Sequence, residues 1–306
     1  MLQHNPTEQP AGLFAVQNKG IALALVSTAL FVVIGGLVRL LSERIHVFEI
    51  LLFRQLIFVL MLSPAIYVGW QGLLKPRFIT WHFARICAAF VALSVSFTVV
   101  ANIPLADATA LGFTKVLFVA LISKYVLAEQ VNVQRLLVIG LGFAGVLLVI
   151  QPRFAEASML YVGLGLLAAL GAAVAVICVK KLSGLDSTTN ILAYQAIFVG
   201  LLAAVGAWFY WTTPSWADLG LLLAVGVLSS VAQWFGVTAY KHGEANVVAN
   251  IEYVKMVYAI LLGYYLFDEV PNKLAIAGAV LLKLSPFIGQ LLSQLRKTKA
   301  KLSSLN

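Results

Sequence analysis

Two lysines stand where hydrocarbon would be expected to surround them. Lys115 lies near the middle of an apolar run from Leu105 to Val131, and Lys255 near the middle of a second run from Ala245 to Pro271. Laid on each other without a gap, the runs also match at Leu121 and Leu261, Tyr125 and Tyr265, and Glu129 and Glu269. Each lysine is about ten residues from either end of the membrane span expected within its run (106–127 and 246–267), roughly 15 Å along a helix, which is further than its stem can snorkel to water. Such a charge marks a protein interior or a watery cavity. Two ammonium groups at that depth can hold an anion, a carboxylate or a phosphate. They can also bond backbone carbonyls and fasten packed helices together. Glu252 stands three residues from Lys255 on one helical face, within pairing range, and a carboxylate there can meet an ammonium or carry a proton. With Asn246, Asn250 and Tyr253 beside it, the second run is the most polar apolar segment of the chain and the leading candidate to line a cavity. Polar glue between helices is the alternative.

Other residues add to this set. Arg54 is deep in an apolar run, where a guanidinium needs carbonyl partners, and a structural or gating role suits it better than substrate contact. Gln195 matches Arg54 when His46–Leu60 is laid on Ser187–Leu201. Tyr194, Trp234, Phe97 and Tyr253 fall inside runs and not in the interfacial belts where Trp and Tyr collect, so they are candidates to line a pocket, with core or lipid-facing packing as the commoner use. Trp70, Trp81, Trp208, Trp211 and Trp216 read as belt anchors, and His82 near an interface is given no role. Glu129 and Glu269 close their runs. Helix C-termini repel anions, so each is expected to bond the start of another helix or a loop, as a structural joint or gate. Pro286 kinks the final run. Gly140, Gly142 and Gly145 spell G-x-G-x-x-G but follow no strand, so close helix packing replaces the dinucleotide reading.

The elements that must position these residues follow from composition. The 306 residues are 61% hydrophobic and 11% charged, with a mean hydropathy of +0.96, against about 25% charged residues in a soluble domain. The chain is therefore an integral membrane protein. Strand-like alternation is absent, and at about 20 residues per span ten helices fit. We place them near residues 19–40, 47–69, 79–100, 106–127, 133–151, 159–180, 188–210, 217–239, 246–267 and 273–292. Residues 1–18 form a disordered cytoplasmic tail, 19–152 a first five-helix repeat, 153–293 a second one, and 294–306 a basic cytoplasmic tail. With the N-terminus in the cytoplasm, thirteen loop and tail cations, among them Arg85 and Lys180, lie inside and four outside, as the positive-inside rule asks. Because five is odd, the second repeat is inverted relative to the first. The fold expected is all-α: ten transmembrane helices in two inverted five-helix repeats.

Ten spans in two halves, Arg54 in the second span, and Glu129 and Glu269 ending the fourth and ninth spans resemble the drug/metabolite transporter superfamily in its EamA-like branch. Within it, the chain is most similar to bacterial amino-acid and metabolite exporters. The resemblance implies alternating access around a central cavity and a bacterial inner-membrane location, with both termini cytoplasmic. It also implies a small-molecule substrate and the lipid bilayer as partners. Nothing asks for nucleic acid or for more than a monomer. Cys87 and Cys178 lie in apolar runs without a pairing signal, and no metal cluster, Walker loop or nucleophile elbow is present. The expected protein is not an enzyme and takes no cofactor or metal. A secondary transporter exporting amino acids or similar metabolites is the first reading. Efflux of hydrophobic or drug-like compounds is the second, and a non-transporting membrane scaffold or enzyme the third.

Overall fold

The computed structural model describes residues 11–255 apart from 75–77, 104, 130–132 and 152–158, and a few residues between 258 and 284. These residues are predominantly helical, and no strand occurs among them. The helices are α1 (Ala11–Ser42), α2 (Val47–Leu74), α3 (Ile79–Asn102), α4 (Leu105–Val126), α5 (Val133–Ile150), α6 (Met159–Ser183), α7 (Thr188–Phe209), α8 (Trp216–His242) and α9 (Ala245–Asn250). A 3₁₀ turn, Ile251–Val254, follows α9 directly. Seven of the described helices are long and apolar enough to cross a membrane, and Leu136–Leu148 within α5 adds a shorter apolar stretch.

Local chemistry accounts for the boundaries. Pro10 precedes α1 and is followed by residues that favour helix, so α1 begins at Ala11. Residues 11–18, the end of the segment expected to form a tail, lie within it. Ser187 caps α7 by accepting from Asn190 N. Ser215 and Asp218 form a reciprocal capping box at the start of α8, which satisfies two otherwise orphaned donors. Asp218 also meets Arg44 at 3.4 Å, joining the α1–α2 connection to α8. Large apolar side chains cover the outside, including Tyr67, Val68 and Leu60 on α2. Trp70, Trp208, Trp211 and Trp216 are exposed near helix ends, where belt anchors were expected. Trp81 differs: it is half-buried and packs against the largest core cluster.

The strongest helix pairings are α3 with α6, α1 with α8, α2 with α7 and α4 with α6, and α4 also meets α9. Most of these join the first half of the chain to the second. Small residues permit the closest approach. A methyl group on Gly171 of α6 would lie 3.1 Å from the Ala88 carbonyl oxygen of α3, so the two backbones touch there. The buried core runs through these pairings, with Phe58, Ile177, Leu182, Leu192 and Tyr240 in its largest cluster.

Candidate functional site

The polar centre is built where α4, the 3₁₀ turn after α9, α1 and α5 converge. Lys115 sits halfway along α4. Its Nζ donates to Glu252 Oε1, and Lys255 Nζ donates to the other oxygen, Oε2, at 3.2 Å. One carboxylate therefore bridges two cations, one from each half of the chain, and the cluster keeps a formal excess of one positive charge. The side chains are 15% (Lys115), 16% (Glu252) and 27% (Lys255) exposed. This partial access differs from that of Arg54 and Arg85, which rank among the largest fully buried side chains. Lys255 Nζ also lies 5.9 Å from the centre of the Phe31 ring on α1, close enough for a cation–π attraction.

The backbone presents these groups by changing helix type. After six residues of α9 the chain tightens into the Ile251–Val254 turn, which carries Glu252 and Tyr253. A 3₁₀ segment within a longer helical run often marks a hinge. Tyr253 is buried, donates to the Ile139 carbonyl of α5 at 3.2 Å, and stands 5.7 Å from the Phe113 ring. Gly142 makes room for it, since a methyl group there would fall 2.7 Å from Tyr253 Cε2. The glycine of the G-x-G-x-x-G pattern thus seats an aromatic ring. Asn246 and Asn250 belong to α9, but their side chains lie outside the described residues, as do Glu269 and Pro286 altogether.

The remaining candidates are distributed elsewhere. Gln195 is buried on α7, where its Oε1 accepts from both Arg85 of α3 and Gln233 of α8. Tyr194, one residue earlier, donates to the Leu73 carbonyl, meets the His82 ring at a tilt and stacks against Phe198. It closes the seam between α2, α3 and α7 at the α6–α7 end. Phe97 packs between two hydrophobic clusters, so core packing describes it better than pocket lining. Trp234 is 37% exposed. Arg54 is buried on α2, and neither terminal nitrogen of its guanidinium has a partner among the described residues. Glu129 Oε1 accepts from Ala245 N at 2.7 Å, so a carboxylate closing the fourth span reaches the first residue of α9.

Two groupings escaped the sequence reading. Arg85 was counted as a cytoplasmic loop cation, yet it is only 2% exposed and donates to the Ile191 carbonyl as well as to Gln195. Its position, six residues and roughly 9 Å into α3, was the available signal. His82, given no role, is buried with Nε2 3.0 Å from Asp186 Oδ2. Asp186 also accepts from Ser187 N and Asn190 Nδ2. Asp186 borders a cavity of about 1010 Å³ also lined by Trp70, Gln71, Asn190 and Lys241, among others.

An apolar helical surface, several spanning helices and ionic groups gathered inside define a multi-pass membrane protein. The chain belongs to the EamA-like transporter family, which matches residues 18–151 and again 159–288. It is 31% identical over 273 residues to the pseudopaline exporter CntI of Pseudomonas aeruginosa, covering 87% of this chain and 93% of that protein. It is 28% identical over 266 residues to the S-adenosylmethionine uptake transporter of Rickettsia prowazekii, covering 86% and 89%. With the riboflavin transporter of Vibrio cholerae it shares 29% identity over 223 residues, covering 71% and 74%. A solved crystal structure superposes with a TM-score of 0.73 at 16% identity, over 91% of this chain and 98% of that one, a likeness of fold.

Proposed function

We propose that this protein is a secondary transporter that exports small metabolites, amino acids foremost, by alternating access through a cavity between two inverted five-helix repeats. The observation that carries this reading is the Lys115–Glu252–Lys255 cluster. A zwitterionic amino acid needs a cation for its carboxylate and an anion for its ammonium. This cluster offers both, with each half of the chain contributing a lysine. Efflux of hydrophobic compounds is served less well, since such a site is lined chiefly by apolar and aromatic groups. The relatives carry different solutes, and one is named an exporter while another is named an uptake transporter. Export is therefore read here from the resemblance to metabolite exporters.

The helix pairings support the inverted arrangement. If α1 corresponds to α6, α2 to α7 and α3 to α8, a pseudo-two-fold turns the α3–α6 pairing into α8–α1 and maps α2–α7 onto itself, and these are three of the strongest pairings observed. Two successive family matches within one chain agree with it. The N-in orientation keeps its support once Arg85 is moved from loop to interior, because twelve cations then face four.

The test is Lys255→Met, which keeps a similar stem and removes the charge. Reconstituted into liposomes, the variant is expected to fold, because Glu252 keeps Lys115, and to lose most amino-acid transport. Wild-type transport by a normally folded variant removes the cluster from the substrate path. Transport lost only in step with thermal stability assigns Lys255 to helix fastening.

A further inference from the structure

Arg85 carries a charge that nothing around it cancels. The side chain is 2% exposed, and its guanidinium donates to the Ile191 carbonyl and to Gln195 Oε1, both uncharged. Its Nε has no hydrogen-bond partner among the described residues. Ion pairs join Arg44 to Asp218, His82 to Asp186, and both Lys115 and Lys255 to Glu252, and none of these includes Arg85. A guanidinium held this way in a low-dielectric interior is costly without a counter-ion.

The partner that stands in the counter-ion's place is Gln195. An amide oxygen is the neutral counterpart of a carboxylate oxygen, and Arg85 holds it as it would hold one arm of a carboxylate. With Glu at 195 the ion pair would be permanent. With Gln the position is filled but the charge stays open to exchange. The same Gln195 oxygen also accepts from Gln233 Nε2 at 3.0 Å. Gln233 lies on α8 and is only half-buried, next to Trp234, which is 37% exposed. A chain of polar groups thus leads from half-buried Gln233 on α8, through Gln195 of α7, to the buried cation on α3.

We propose that Arg85 is the counter-ion for a carboxylate of the transported solute, which takes the place of Gln195 on the guanidinium and is steadied by Gln233. This rests on the transporter reading and adds a second recognition point to it, separate from the lysine cluster. The site selects solutes bearing at least one carboxylate, and it should discriminate against those in which that group is an amide.

The probes are L-leucine, L-glutamate and citrate, with L-leucinamide as the neutralised control, read as protection of the detergent-purified full chain against thermal unfolding. At least one carboxylate should protect the wild type, and leucinamide should not. Arg85→Gln should weaken that protection about 10- to 100-fold, the range of a lost hydrogen bond to a charged group, and Arg85→Lys should restore part of it. Gln195→Glu keeps the proposal testable if Arg85→Gln fails to fold. A built-in carboxylate should raise the unfolding temperature above that of the wild type and abolish carboxylate protection. The proposal is overturned if no carboxylate of the set protects the wild type, if leucinamide protects as well as leucine, or if Gln195→Glu is protected like the wild type. Wild-type transport in liposomes without carboxylate protection would leave the transporter reading standing and remove this site. Protection without transport would do the reverse.

Discussion

Glu252 is the residue on which the charged centre depends. It is the one carboxylate bridging two ammonium groups, and removing it leaves both cations facing each other in a poorly hydrated place. Breaking a buried ion pair from one side costs about 3–5 kcal/mol, and the partial exposure of this cluster puts Glu252→Gln near the lower end. The variant is expected to unfold in detergent at a clearly lower temperature than Lys255→Met, because the latter leaves one intact pair. Equal stabilities would mean that the carboxylate is not the keystone. The two lysines were legible in the sequence because ammonium groups in the middle of apolar runs are rare and expensive, and Glu252 was legible by its spacing from Lys255. That Lys115 and Lys255 share one carboxylate was not legible, since residues 137 positions apart meet only through tertiary packing. Arg85 was missed for the opposite reason. It lies close enough to a helix end to count as a loop cation, and only the carbonyl of Ile191 and the amide of Gln195 show that it turns inward.

At the scale of elements, the decisive feature is the change from α9 to a 3₁₀ turn at Ile251. Apolar periodicity marks one long helix across this stretch and gives no sign of tightening, because the switch depends on where Tyr253 finds room. That room is Gly142 of α5. Gly142→Ala would press a methyl group to 2.7 Å from the Tyr253 ring, a ring also held by its hydrogen bond to Ile139. Overpacking of this kind costs about 1–3 kcal/mol. The expected outcome is a lower unfolding temperature for Gly142→Ala and recovery when Tyr253→Leu is added, measured on purified protein. A Gly142→Ala protein as stable as the wild type would mean that α5 and the turn are free to move apart. Most helix boundaries were legible to within a few residues, because Ser187 and Ser215 are strong caps and the intervening loops are rich in turn residues. The early start of α1 was not, because Gln17, Asn18 and Lys19 interrupt the apolar pattern that marks the span.

At the scale of the molecule, the proposal of inverted halves rests on sequence symmetry and loop charge, and the pairing of α1 with α8, α3 with α6 and α2 with α7 agrees with it. That proposal puts the α6–α7 connection and the α7–α8 connection on opposite sides of the membrane. Leu185 and Thr213 are exposed positions in these two connections and suit single-cysteine labelling once Cys87 and Cys178 have been replaced by alanine. With Lys180, Lys181 and Lys241 gathered around the α6–α7 side, the positive-inside rule assigns Leu185 to the cytoplasm and Thr213 to the exterior. An impermeant maleimide added to right-side-out vesicles should therefore modify Thr213→Cys and leave Leu185→Cys unmodified, and inside-out vesicles should reverse the pattern. Modification of both positions from one side would place the two ends of α7 on the same face of the membrane and dissolve the inverted repeat. Full reversal would keep the repeat and turn the molecule over, exchanging the cytoplasmic and exterior ends of the route past Lys115, Glu252 and Lys255.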